Sequence, residues 1–360
     1  MNIEDFIIPA PEIKTENWQL GHFIKREIIE NSIVLLFVSD FRGAKGSGES
    51  QDFRRVRKQL YKLSHLQLET TVCDLGDLIS GKTIEDTHYV LQEFLSLCHY
   101  KNAVPVIIGG SNDLAFSLFS ALNFHQKNIS YTQINSKIEL GNVADTLSEK
   151  NFLTKILSSK NLSVENYHHL AYQKHLNPLE SVDLIKDVDF DIIRLAEMMN
   201  VTEKAEPFFR KADLVTVNCD AIESFAESFS IHPQVNGLNR REICAYMQEI
   251  GLGENLRSVG IFNFNFDAEN VLNHQLLAQM IWYLILGIDL QNSHPKERFY
   301  ETFHVLVKDE NYTFKRDTFK NLWYFGSDDK IENCLPCSHL DYEAAKKENL
   351  TQRLLNFLNK

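Results

Sequence analysis

The sequence predicts an α/β fold built around a mostly parallel sheet. Two observations carry this expectation. Short apolar runs recur at Ser32–Val38, Val104–Ile108, Ile129–Ile134 and Leu214–Cys219, and each ends in glycine or polar residues. Strands buried on both faces read this way. Stretches of helical length separate the runs, so strand and helix alternate along the chain. In such sheets, ligands sit outside the carboxyl ends of the strands. The polar residues at those ends are Ser111 and Asn112, then Asn135, Lys137 and Glu139, then Asn218 and Asp220. If the strands continue through them, side chains alternate with period 2. Asn135, Lys137 and Glu139 then share one side, and so do Asn218 and Asp220.

Taken in order, residues 1–30 offer short helical or loop material, with Trp18 and Phe23 as packing anchors. Ser32–Val38 is the first strong strand. Phe41–Ser50, F-R-G-A-K-G-S-G-E-S, is a Gly/Ser-rich loop whose spacing fits neither the P-loop nor the dinucleotide pattern. It reads as a mobile crevice loop. Asp52–Leu63 predicts a basic amphipathic helix, Leu66–Leu75 a second strand and Thr83–His99 a helix. After Val104–Ile108, a helix is expected from about Asp113 to Phe124, capped by Ser111 or Asn112. Residues 142–165 read as polar and helical. Tyr167–Tyr172 predicts a strand in which adjacent His168 and His169 face opposite sides and cannot share a metal. Pro178–Met199 is expected to contain a long amphipathic helix, and Glu203–Ala212 to be the helix leading into the next strand.

Leu214–Cys219 is the next strand, and Phe225–Asn236 a loop. Arg240–Ile250 predicts a helix, Leu256–Phe264 a strand ending at Asn263, and His274–Ile288 a buried helix. Past residue 295 aromatic and charged residues alternate, over Phe299–Val307 and Thr313–Phe325. This predicts a C-terminal extension with one or two edge strands and a last helix near Ala344–Leu358. The expected division is 1–295 for the α/β domain and 296–360 for the extension packed on it.

Composition sets bounds. The 360 residues are 44% hydrophobic and 24% charged, ordinary for a soluble globular chain. A net charge of −12 argues against nucleic acid or an anionic membrane as a general partner. The start lacks a basic segment followed by a long apolar run, which argues against a secretory signal. No uninterrupted apolar run reaches the length of a membrane span. Six cysteines show no disulfide framework. Cys334-x-x-Cys337 lacks a second Cys pair or a close His pair, so metal or redox use is not favoured. A reduced, cytoplasmic protein is expected.

At the strand ends the chain resembles the arginase superfamily of ureohydrolases: arginase, agmatinase and formimidoylglutamase. The formimidoylglutamase-like branch is nearest, through Ala205–Asp213 (A-E-P-F-F-R-K-A-D), Asn236–Cys244 (N-G-L-N-R-R-E-I-C) and Gln279–Tyr283 (Q-M-I-W-Y). That resemblance covers about residues 30–290. It implies a three-layer α/β/α fold, a homo-oligomer, and two manganese ions activating a bridging hydroxide. The family's ligand motifs are G-G-D-H, D-A-H-x-D and D-x-D. Here they read Gly109-Gly110-Ser111-Asn112, Asn135-Ser136-Lys137-Ile138-Glu139 and Asn218-Cys219-Asp220. The six former metal positions are therefore Asn112, Asn135, Lys137, Glu139, Asn218 and Asp220. A substrate-holding carboxylate one strand later corresponds to Asn263.

Charge decides what these changes imply. One lysine, two carboxylates and three amides sum to −1. Two divalent ions would bring that to +3 in a partly buried crevice, which is strongly unfavourable. An ammonium has no lone pair to donate. The expectation is a chain without a cofactor and without catalytic residues, binding an unidentified protein or small molecule. In it, Lys137 replaces the metal as local cation, held by Glu139 and Asp220. The alternative is an amidine or guanidine C–N hydrolase with an altered or single manganese site on Glu139 and Asp220.

Overall fold

The computed structural model describes residues 3–359 except 50, 200 and 226. Strands β1 (Ile7–Ile8), β2 (Ile33–Val38), β3 (Val72–Leu78), β4 (Val104–Ile108) and β5 (Ile129–Ile134) enter one sheet. They are joined by β6 (Val164–Tyr172), β7 (Asp191–Arg194), β8 (Leu214–Asn218) and β9 (Ser258–Phe262). The order is β1-β3-β2-β4-β9-β8-β5-β6-β7. All pairs are parallel except β1 with β3. β2, β4, β5, β8 and β9 have almost every residue buried, as their unbroken apolar runs require.

Helices cover both faces. One apolar core lies under Arg54–Leu60, Arg240–Gly251 and Val271–Ser293. The other lies under Ile84–Tyr100, Ala115–His125 and Phe152–Ser158. Thr83 caps its helix through a capping box with Asp86, and Asn239 does the same with Glu242. The helix Val271–Ser293 has the length and apolarity of a membrane span, but 61% of its most apolar window is buried within the protein.

Several elements differ from expectation. The second strand starts at Val72, not Leu66, because Leu66 and Gln67 take left-handed φ of 49° and 55°. Within 142–165 the only α-helix among the described residues is Phe152–Ser158. The long helix expected over Pro178–Met199 stops at Asp187. Asp189 then turns left-handed at φ 58°, and the β-branched pair Ile192-Ile193 enters β7. Ser111 precedes a 3-10 turn without a side-chain cap.

The extension is the largest difference. It adds no strand to the main sheet. β10 (Tyr300–Val307), β11 (Glu310–Asp317), β12 (Trp323–Phe325) and β13 (Leu335–Cys337) form a separate antiparallel sheet. Alternation there buries Phe314, Trp323 and Phe325 on a core of its own, closed by Ala345 and Leu354. It is tied to the rest by Arg210, buried, which donates to the Trp323 carbonyl at 2.6 Å and the Cys337 carbonyl at 3.3 Å. All six cysteines are free and buried.

Candidate functional site

Strand order builds the site. β4, β9, β8 and β5 are neighbours, so the segments leaving their carboxyl ends converge: 109–112, 263, 218–220 and 135–139. Gly109 and Gly110 turn the first segment with φ of 92° and 70°. A Cβ on Gly109 would lie 2.6 Å from the Val38 carbonyl oxygen. Asn263 sits left-handed at φ 60°, a conformation an amide side chain tolerates better than most.

The residues singled out from the sequence do come together, though as turns rather than as continued strands. β5 ends at Ile134 and β8 at Asn218. The Asn135 Oδ1 accepts from the Lys137 amide at 3.3 Å, and the Asn218 Oδ1 accepts from the Asp220 amide at 2.9 Å. These Asx turns replace the expected alternation. Asn177 pins the first turn, accepting from the Ile138 amide at 2.6 Å and donating to the Ser136 carbonyl at 2.9 Å.

Asn263 is the hub. Its Oδ1 accepts from the Asn112 amide at 3.1 Å. Its Nδ2 donates to Asp220 Oδ2 at 3.0 Å and to Glu149 Oε2 at 3.3 Å. Asp220 is 4% exposed and its Oδ1 has no partner; Asn112 is fully buried with neither side-chain atom partnered. Burial pushes the Asp220 carboxyl up to about 6, with Glu149 adding to the rise and His232, Asn263 and Ser230 opposing it. Burial likewise raises Glu139, helped by Glu149 and opposed by Lys137.

One expectation needs correction. Lys137 is half-buried, but it makes no ion pair within 4.0 Å among the described residues. It acts on Glu139 only at longer range. The basic side chain in contact with a carboxylate there is His232, whose Nε2 lies 3.0 Å and 3.2 Å from the two oxygens of Glu149. Neither His232 nor Glu149 belongs to a motif. The signal available was topological: they sit on the loops leaving β8 and β5, which are adjacent strands.

Two cavities flank these elements. One of about 300 Å³ opens beside His232, between the Phe41–Ser47 loop and Phe264–Asp267. This is where the Gly/Ser-rich loop was expected, although residue 50 lies outside the described residues. A larger one, about 900 Å³, lies at the opposite end of the sheet, where Ser130, His168 and Asp213 meet Glu332 and Arg353. Both of its lysines are engaged, Lys211 with the Glu332 and Cys334 carbonyls and Lys127 with the Asn123 carbonyl, so the strand-end crevice remains the stronger candidate. His169 lies buried on the opposite side from His168, its Nε2 3.1 Å from the Asn135 carbonyl oxygen.

Comparison with known proteins agrees with this architecture. A formiminoglutamase from Trypanosoma cruzi, whose structure contains Mn2+, has a TM-score of 0.68 at 17% identity, covering 78% of this chain and 100% of that one. Formimidoylglutamase from Bacillus subtilis gives 0.67 at 16%, covering 78% and 95%. Arginase from Bacillus subtilis gives 0.58 at 13%, covering 71% and 98%. At such identities the likeness is one of fold. Among curated proteins no sequence matches. The Arginase family matches residues 31–287, and the chain belongs to the arginase family.

Proposed function

We propose that this chain is a binding relative of the ureohydrolases whose crevice works without a manganese pair. The observation that carries this reading is the use already made of its oxygens. Asn135 and Asn218 stand where the family's motifs place carboxylates, and both turn their side-chain oxygens onto backbone amides two residues on. Lys137, as an ammonium, has no lone pair for a cation. Among the described residues, no three His, Cys, Asp or Glu groups are placed to hold a metal ion. This donor set does not fit two divalent cations. With neither ion nor bound hydroxide, the crevice has no nucleophile for C–N hydrolysis at neutral pH.

The role that remains is recognition, of a small molecule or of a protein, by a cytoplasmic chain whose extension (296–360) packs on the body (1–295). The test is metal content after purification with excess manganese, alongside release of urea, formamide or ammonia from arginine, agmatine and formimidoylglutamate. Background release and less than a tenth of an equivalent of metal are expected. Two equivalents kept through desalting overturn the proposal.

A second reading is a hydrolase with one manganese ion on Glu139 and Asp220. The unpartnered Asp220 Oδ1 and the Mn2+ in the Trypanosoma cruzi formiminoglutamase favour it. Its signature would be one equivalent of metal and amidine hydrolysis lost in both Glu139→Ala and Asp220→Ala.

A further inference from the structure

The loop after β5 carries Glu149 into the crevice, where its side chain is almost wholly buried. The loop fixes its approach: the Glu149 amide donates to the Gly43 carbonyl at 3.2 Å, on the glycine-rich loop after β2. Two groups then hold the carboxylate. His232 Nε2 lies within 3.0 Å and 3.2 Å of its oxygens, and Asn263 Nδ2 donates to Oε2 at 3.3 Å. An imidazole N–H and an amide NH₂ aimed at one spot make a carboxylate receptor. The carboxylate filling it comes from a loop rather than a strand end.

A cavity adjoins the receptor on the far side of His232. The His232 side chain is 35% exposed and forms part of the wall of the cavity of about 300 Å³. Phe264 and Phe266 give that cavity an aromatic floor, and Lys45 lies beside them. Its volume suits a small ligand with a compact apolar body.

We propose that the crevice is a carboxylate-binding site that the chain fills with its own Glu149. A small carboxylate with an apolar body enters by the cavity and takes Glu149's place on His232 and Asn263. The inference rests on the metal-free binding reading and supplies its ligand class. Charge supports it. A ligand carboxylate in Glu149's place carries the same charge and offers His232 the same acceptor oxygens, so the exchange leaves the net charge of the crevice unchanged. Asn263 passes the exchange inward, because the same amide also donates to Asp220.

The test empties the receptor and offers a substitute. Thermal unfolding is followed for the wild type, Glu149→Ala, His232→Ala and the double variant. Each is measured in sodium acetate, in sodium benzoate and in sodium chloride at equal ionic strength, all with EDTA. Acetate should raise the midpoint of Glu149→Ala over chloride by about 2 °C or more. Benzoate should do so at lower concentration. The wild type shifts less because Glu149 competes, and the double variant does not shift because His232 is gone. Equal shifts in all four proteins, or none in Glu149→Ala, overturn the proposal. If Glu149→Ala does not fold, Glu149→Ser opens the same space and takes its place. With EDTA present, a failed rescue counts against this inference alone. Retained manganese, measured separately, counts against the metal-free reading.

Discussion

Glu149 and His232 join two loops that leave neighbouring strands, with the imidazole Nε2 at 3.0 Å and 3.2 Å from the carboxylate oxygens. The hydrogen bond that His232 donates to Glu149 holds the imidazole's proton affinity above its ordinary value. Burial and Lys137 oppose this, and the Glu149 and Asp220 charges add to it. A raised histidine binds its proton more tightly in the folded chain. Its contribution is therefore complete below about 6.5 and is lost as pH rises through the raised folded value. His232→Gln should be less stable than the wild type at pH 6, and the difference should shrink as pH rises through the raised folded value. Urea unfolding across that range checks this. A difference that grows with pH would mean that the imidazole is held neutral.

Asp220 has the opposite sign. Its carboxyl is raised to about 6, chiefly by burial, so ionisation costs the folded chain stability. That cost is absent below the unfolded value near 4. It grows as pH rises and is complete above the folded value. Asp220→Asn keeps an oxygen to accept from Asn263 and removes the charge. It should stabilise the protein at pH 7.5 by about 1–3 kcal/mol and leave it nearly unchanged at pH 4. Destabilisation at pH 7.5 would show that the ionised carboxylate is compensated by something other than the contacts described.

Lys137→Ala should be mild. An ammonium locked between two buried carboxylates would cost about 3–5 kcal/mol on removal, as the sequence suggested. Without an ion pair and half-buried, Lys137 should change stability by about 0.5 kcal/mol or less. Denaturant unfolding of Lys137→Ala, alone and with Glu139→Gln, checks both size and coupling. A loss above about 2 kcal/mol that Glu139→Gln recovers would restore the locked-cation picture.

Legibility followed the physics. β2, β4, β5, β8 and β9 could be read because burial on both faces leaves apolar runs that polar residues end sharply. Of the residues at those ends, Asn112, Asn263 and Asp220 are joined by hydrogen bonds. What the side chains do there could not be read. Asx turns at Asn135 and Asn218 end the strand geometry, so period 2 stops before it can aim Lys137. Glu149 and His232 meet through loops, which carry no period. The long helix expected within Pro178–Met199 ends at Asp187, just before Asp189, where one left-handed residue outweighs an amphipathic pattern. In the extension, alternation was visible, but which sheet the strands join depends on long-range packing.

Arg210 gives the extension its own test. The guanidinium is buried and pairs with Glu206 four residues back. It donates to the Trp323 and Cys337 carbonyls in β12 and β13, and it lies 4.6 Å from the centre of the Tyr324 ring. Burial lowers its proton affinity, but the Glu206 charge and hydrogen bond outweigh this and raise it, so it stays charged at every working pH. Arg210→Ala leaves Glu206 and two buried carbonyls without their donor, a loss of about 2–4 kcal/mol. Because those carbonyls lie in the antiparallel sheet, the opening should be local. Hydrogen exchange should speed up over Tyr300–Cys337 and stay unchanged in β4, β8 and β9. Arg210→Lys should recover only part of the loss, since one ammonium cannot fork to Glu206 and both carbonyls. Uniformly faster exchange throughout the chain, or none anywhere, would mean that Arg210 does not hold the antiparallel sheet locally.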